Sequence, residues 1–264
     1  MNRRDSTSEP VNATTERREL KHLEPVHLST GASAPISAQS DVLTPEERRS
    51  LPHRLASLIR TNALLLSILA CAAIFLLLLR EVTRTETIKI DAWAYSLIVE
   101  RLRAPWLTPI MSAFSALASP IILAVLLLVI AAFAPGRRPG WCCTINLGLV
   151  ALLNLGLKSI VQRPRPIGFR IAEASGFSFP SGHSMVAMAF FGLIVWLVWH
   201  YGKDQKRRVL LTAAFAIIIV MIGVSRIYLG VHYASDVLAG FMAALIWLAV
   251  YTRLAVPLFL RPRS

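Results

Sequence analysis

Six long stretches without a charged residue dominate the chain: 61–79, 104–136, 139–157, 184–202, 209–225 and 237–252. A helix crossing the hydrocarbon core of a bilayer needs about 20 mostly apolar residues, so these stretches predict spanning helices. The 104–136 stretch is 33 residues long, opens on Pro105 and Pro109 and carries Ser119-Pro120 in its middle. Proline removes an intrahelical donor and clashes with the preceding turn. That stretch is therefore expected to hold one spanning helix plus an interfacial piece, with a kink at Pro120. The predicted fold is all-α, a bundle of six transmembrane helices over 61–260. Its apolar content of 55% and mean hydropathy of +0.57 exceed what water-soluble domains carry.

Residues 1–43 are rich in Ser, Thr, Pro and Glu and lack apolar periodicity, so a disordered cytoplasmic tail is expected there. Thr44-Pro45-Glu46-Glu47 reads as a capping box with proline at the first helical position, opening a juxtamembrane helix over 44–60. The tail holds no short apolar stretch followed by a small-residue cleavage site, and no cleaved signal peptide is expected. The net charge of +13 does not come from a basic stripe with interleaved aromatics, so no nucleic-acid partner is expected. Cys71, Cys142 and Cys143 fall inside predicted spans without metal-type Cys/His spacing, which makes them small apolar packing residues.

Parity decides what meets what. With six spans, the segments KSIVQRPRP (158–166), SFPSGHS (178–184) and SRIYLGVHYASD (225–236) share one face of the bilayer. The opposite face receives Arg137 and Arg138, then Lys203, Lys206, Arg207 and Arg208, then Arg253, Arg261 and Arg263. By the positive-inside rule that opposite face is cytoplasmic. The outer 80–103 loop carries five basic residues, but four acidic ones accompany them. The outer segments nevertheless hold Lys158, Arg163, Arg165, Arg170 and Arg226, which topology disfavours. Cations kept against that preference ask for an anion.

Pro164 and Pro166 force an extended path after Lys158, turning Arg165 back over the helix end; snorkelling of these cations to headgroups is the plainer alternative. Ser181 is a candidate N-cap, Gly182 permits close backbone approach, and free N–H groups at a helix start favour an anion. His183 would lie in the first turn beside that anion, although a lone His at a helix start is also read as a packing residue. His22, His27 and His53 lie in the tail and His200 near the cytoplasmic end of span four, away from this face. His232 and Asp236 are four apart, and if span six begins near 231 they share one helix face. A carboxylate on one imidazole nitrogen fixes the tautomer and leaves the other nitrogen nucleophilic. Arg226 can reach the same place, or can pair with Asp236 structurally. Together these parts suit phosphoryl transfer without a metal or other cofactor. Cations hold the equatorial oxygens, one imidazole attacks phosphorus in line, and the other protonates the leaving alcohol.

These residues resemble the type 2 phosphatidic acid phosphatase superfamily of membrane lipid phosphatases, whose pattern is K-x6-R-P, P-S-G-H and S-R-x5-H-x3-D. The sequence carries Lys158 to Arg165-Pro166, then Pro180-Ser181-Gly182-His183, then Ser225-Arg226 to His232 to Asp236, in that order. The resemblance implies that His232 is the nucleophile of a phosphohistidine intermediate, oriented by Asp236, and that His183 is the general acid. It implies that Lys158, Arg165 and Arg226, with Ser181 and the Gly182 backbone, bind the phosphoryl oxygens. The same framework occurs in vanadium haloperoxidases, which are soluble helical proteins; six apolar spans argue against that reading.

The implied partners are the bilayer and a membrane lipid phosphate, the implied location a bacterial cytoplasmic membrane with the site on its outer face. Phosphatidic acid, phosphatidylglycerol phosphate, polyprenyl diphosphate and lipid A phosphates all stay open as substrates. Transfer to a second lipid or sugar, or lipid and anion transport without chemistry, are the alternatives. The amphipathic stretch IKIDAWAYSLIVERLR (88–103), with Ile90, Trp93, Leu97 and Leu102 at near-helical spacing, is expected to lie on the outer surface as a rim guiding lipid.

Overall fold

The computed structural model describes residues 45–85, 87–133 and 138–260. The expected tail at 1–43 and the cap residue Thr44 lie outside the described residues. The chain divides into two units, 1–51 and 52–264. Among the described residues there are helices, turns and loops and no strand. Five helical segments, all in the second unit, are long and apolar enough to cross a membrane: Thr61–Arg84, Arg138–Val161, Gly182–Tyr201, Gln205–Tyr228 and Ala234–Phe259.

The first belongs to α1 (Pro45–Arg84), which runs unbroken from the expected juxtamembrane stretch into the span. After it come α2 (Lys89–Ala94) and a π-helical segment, Tyr95–Arg101. The 104–136 stretch forms two helices, α3 (Thr108–Ala116) and α4 (Pro120–Phe133). Counted together they make a sixth span, broken at Leu117–Ser119 and bent by 54°. Proline at 120 cannot continue the ladder of α3, so the break falls where the sequence places it. The expected interfacial piece is thus a packed helix, because α3 lies against α7.

The remaining helices are α5 (Arg138–Val161), α6 (Gly182–Tyr201), α7 (Gln205–Tyr228), α8 (Ala234–Leu254) and the short α9 (Val256–Leu260). Helix α6 is central and packs on α5, α7 and α8. Met185, Ala187, Ala189, Phe190 and Leu193 of α6 are wholly buried. Gly240 lets α8 close onto the start of α6: a Cβ there would stand 2.8 Å from the Ser181 carbonyl oxygen, closer than a methyl tolerates.

Polar side chains tie the helices where lipid supplies no hydrogen bonds. Asn146 of α5 donates to the Ala189 carbonyl of α6 (2.9 Å) and accepts from Trp247 Nε1 of α8 (2.8 Å). Tyr251 donates to the Cys142 carbonyl at 2.7 Å. Cys142 and Cys143 are free and buried in the core, in keeping with a packing role.

Candidate active site

Helix α5 stops at Val161 because Gln162 takes a left-handed φ of 52° and Pro164 and Pro166 follow. The chain then loops over the bundle end and returns at Pro180 to start α6. Lys158, in the last turn of α5, donates to the carbonyls of Phe177 (2.6 Å) and Ser178 (3.3 Å). Ser181 caps α6, its Oγ accepting from Ser184 Oγ at 2.9 Å, and its N–H donates to the Asp236 carbonyl oxygen at 2.9 Å. Gly182 faces α5 so closely that a Cβ would stand 2.9 Å from Asn154 Oδ1. Half-buried His183 sits on that first turn, within electrostatic reach of Arg226, His232, Arg165 and Lys158.

Helix α8 begins at Ala234 rather than near 231. His232 therefore lies before the helix, and it meets Asp236 by a different route from a shared helix face. Asp236 occupies the third helical position and reaches back, accepting from the Tyr233 N–H at 2.9 Å. That return brings Oδ2 to 3.4 Å from His232 Nδ1. Ser178 Oγ donates to the same Oδ2 and lies 3.4 Å from Nδ1. On the far side of the ring, Arg165 Nη1 stands 3.1 Å from Nε2 and 2.8 Å from the Val231 carbonyl. Arginine can only donate, so Nε2 must be the accepting nitrogen and the proton sits on Nδ1. The unprotonated nitrogen thus faces the cations.

His232 is 3% exposed. Its burial pushes the imidazole down to about 4, against the raising effect of Asp236. Nε2 is thus bare at any pH above that, and chemistry needing it is lost as pH falls through about 4. Imidazole ¹⁵N spectra of the solubilised protein at pH 5.5 should report neutral His232; half-protonation near the ordinary value of about 6.5 would contradict this environment.

Arg226, at the end of α7, donates from Nη1 to Ser115 of α3, and its buried Nε makes no hydrogen bond to the described residues. Arg165 is more committed than its predicted role implies: Nε and Nη2 donate to the carbonyls of Ser175 and Gly176. All eight predicted site residues thus gather at one end of the bundle.

Sequence reasoning named Arg163 only among the outer cations and gave Asp91 no role at the site. Arg163, buried, donates from Nη1 to Asp236 Oδ1 (2.7 Å) and Ser235 Oγ (2.7 Å) and from Nη2 to Asp91 Oδ2 (2.8 Å). Asp91 belongs to the stretch expected to float as a rim. It is 3% exposed, and its segment is anchored through it, while Trp93 and Leu102 of the same stretch remain exposed. The available signal was an acid set between Ile90 and Trp93 in an amphipathic pattern, which burial explains better than a surface role.

The architecture and the sequence both have known counterparts. The PAP2 superfamily model matches residues 139–259. Phosphatidylglycerophosphatase B of Bacillus subtilis (strain 168) is 34% identical over 177 residues, covering 66% of this chain and 87% of that protein. The chain belongs to the PAP2 superfamily. A lipid A 1-phosphatase of Rhizobium johnstonii is 35% identical to this PAP2 protein over 111 residues, 38% of this chain and 41% of the relative. Among solved structures, the transmembrane PAP2-type phosphatidylglycerolphosphate phosphatase from Bacillus subtilis superposes with a TM-score of 0.63 at 28% identity, covering 71% of this chain and 94% of that one. Aquifex aeolicus LpxE shares the fold, with a TM-score of 0.53 at 24% identity over 64% of this chain and 98% of that one. The chain is thus a multi-pass membrane phosphatase of PAP2 type.

Proposed function

We propose that this PAP2 phosphatase hydrolyses a glycerophospholipid phosphomonoester, phosphatidylglycerophosphate foremost, through a phosphohistidine on His232. The observation carrying the proposal is the bare Nε2 of His232, held by Asp236 and turned toward Arg165. In the first step Nε2 bonds to phosphorus as the bond to the leaving oxygen breaks, and His183 gives that oxygen its proton. Water then attacks the phosphohistidine, loses a proton to His183, and releases inorganic phosphate with Nε2 restored. Arg226, whose Nε makes no hydrogen bond to the described residues, Lys158, Arg165 and the N–H groups at the start of α6 hold the phosphoryl oxygens. Substrate must draw Arg165 Nη1 away from Nε2 as it binds, since Nε2 meets the phosphorus whose oxygens Arg165 holds.

The preference for phosphatidylglycerophosphate rests on the relative of that name, which this chain matches along most of its length. Metal independence is inferred from the charges present: three cations can supply what a divalent ion would bring. Among the described residues, the two buried carboxylates, Asp91 and Asp236, are already engaged by Arg163. The site end is proposed to face outward from a bacterial cytoplasmic membrane, because the opposite end carries the loops rich in Lys and Arg.

The test is phosphate release by purified protein from phosphatidylglycerophosphate, phosphatidic acid, lipid A and polyprenyl diphosphate in excess EDTA. The expected result is release from the glycerophospholipids with no added acceptor. Activity lost on chelation and restored by Mg²⁺ would overturn metal independence, and release only from lipid A or the diphosphate would overturn the substrate. Spheroplasts should hydrolyse an added membrane-impermeant phosphate ester; activity only after lysis would put the site on the cytoplasmic side.

A further inference from the structure

His232 is ringed by positive charge. Arg165 faces it from the loop after α5 and Arg226 from the end of α7, with Lys158 close by at the end of α5. Asp236 of α8 is the negative group that touches the ring. As Nε2 bonds to phosphorus the ring keeps its Nδ1 proton and becomes cationic, so the charge on Asp236 must be available at that moment. Arg163 threatens to remove it, because a guanidinium 2.7 Å from Oδ1 would neutralise a lone carboxylate.

A second carboxylate prevents this. Asp91 Oδ2 takes Arg163 Nη2 at 2.8 Å. Its Oδ1 accepts from the Ser235 N–H at 2.8 Å, and its Oδ2 accepts from Ser235 Oγ at 2.9 Å. Asp91 therefore caps the first turn of α8 from another element, one residue before Asp236. The Arg163 guanidinium also lies 4.0 Å from the centre of the Tyr233 ring, which fixes its plane. Asp91 and Asp236 divide the Arg163 guanidinium between them, which leaves negative charge on Asp236 beside His232.

Resting on the nucleophile role proposed for His232, we propose that Asp91 is a positioning residue. By sharing Arg163 it leaves Asp236 charged and aimed at His232 Nδ1. The loop between the first two spans is thereby part of the catalytic machinery of a site otherwise built from the last four long helices. Asp91→Asn preserves shape and removes one of the carboxylates that share Arg163, so the guanidinium draws more of the Asp236 charge. It should lower kcat by roughly 10- to 100-fold while KM stays within about threefold, because no substrate atom meets Asp91. Asp91→Asn/Arg163→Gln frees Asp236 of the guanidinium and should recover about tenfold of that loss. A purely structural Asp91 predicts the reverse, with the double variant no better than the single.

The experiment measures kcat and KM of wild type, Asp91→Asn and the double variant on one phosphomonoester, together with ³²P labelling of the protein after an alkaline quench. Slower turnover and slower labelling in Asp91→Asn, recovered in the double variant, support the role; unchanged kcat, or a double variant slower than the single, overturns it. If Asp91→Asn does not fold, the double variant decides against wild type: a kcat within about tenfold supports the role, and a loss of about 100-fold or more overturns it. No label on wild type would sink the phosphohistidine reading alone, because the steady-state constants still decide Asp91.

Discussion

His232→Ala should abolish turnover with every leaving group, a loss on the order of 10⁴-fold or more. Nε2 is the atom that bonds to phosphorus in the proposed reaction, and alanine has nothing to replace it. Leaving-group quality cannot compensate, since the missing bond forms in the step that expels every leaving group. Folding should survive: the imidazole is held by Arg165, Ser178 and Asp236, while Asp236 keeps Arg163, Ser178 and the Tyr233 N–H. Release of p-nitrophenol from p-nitrophenyl phosphate and of phosphate from a lipid, measured on variant and wild type, check this. Retained turnover of the aryl ester by His232→Ala would remove His232 from the nucleophile role.

His183→Ala should split substrates by leaving group. An alkoxide needs a proton to depart, so the lipid ester should lose about 10²- to 10⁴-fold. A nitrophenolate leaves unprotonated and should keep measurable activity, and labelled phosphoenzyme should accumulate because His183 also assists the attacking water. The position of His183 fits this division. It stands on the first turn of α6 near Arg226 and His232, at the same end of the bundle and without the carboxylate that holds His232. Asp236→Asn should fall between the two, slowing all substrates because the Nδ1 tautomer is no longer enforced. If His183→Ala is dead on the aryl ester while His232→Ala turns it over, the two roles are exchanged.

Much of this protein was legible in the residues in order. Charge-free runs of bilayer length dictate helices because lipid offers no other partner for the backbone, and Pro120 by itself marks the break between α3 and α4. Span parity alone brings Lys158, Arg165, His183, Arg226, His232 and Asp236 to one face. Three contacts were decided by the tertiary structure. The meeting of His232 with Asp236 depends on α8 starting at Ala234 and Asp236 turning back over its own helix start, a matter of one turn that spacing cannot resolve. Arg165 sits on Nε2 because the loop carbonyls of Ser175, Gly176 and Val231 hold it there. Asp91 and Arg163 are 72 residues apart, and no periodicity links them. Their pairing exists because a carboxylate and a guanidinium carried into a dry bundle end must find partners there or not be buried at all.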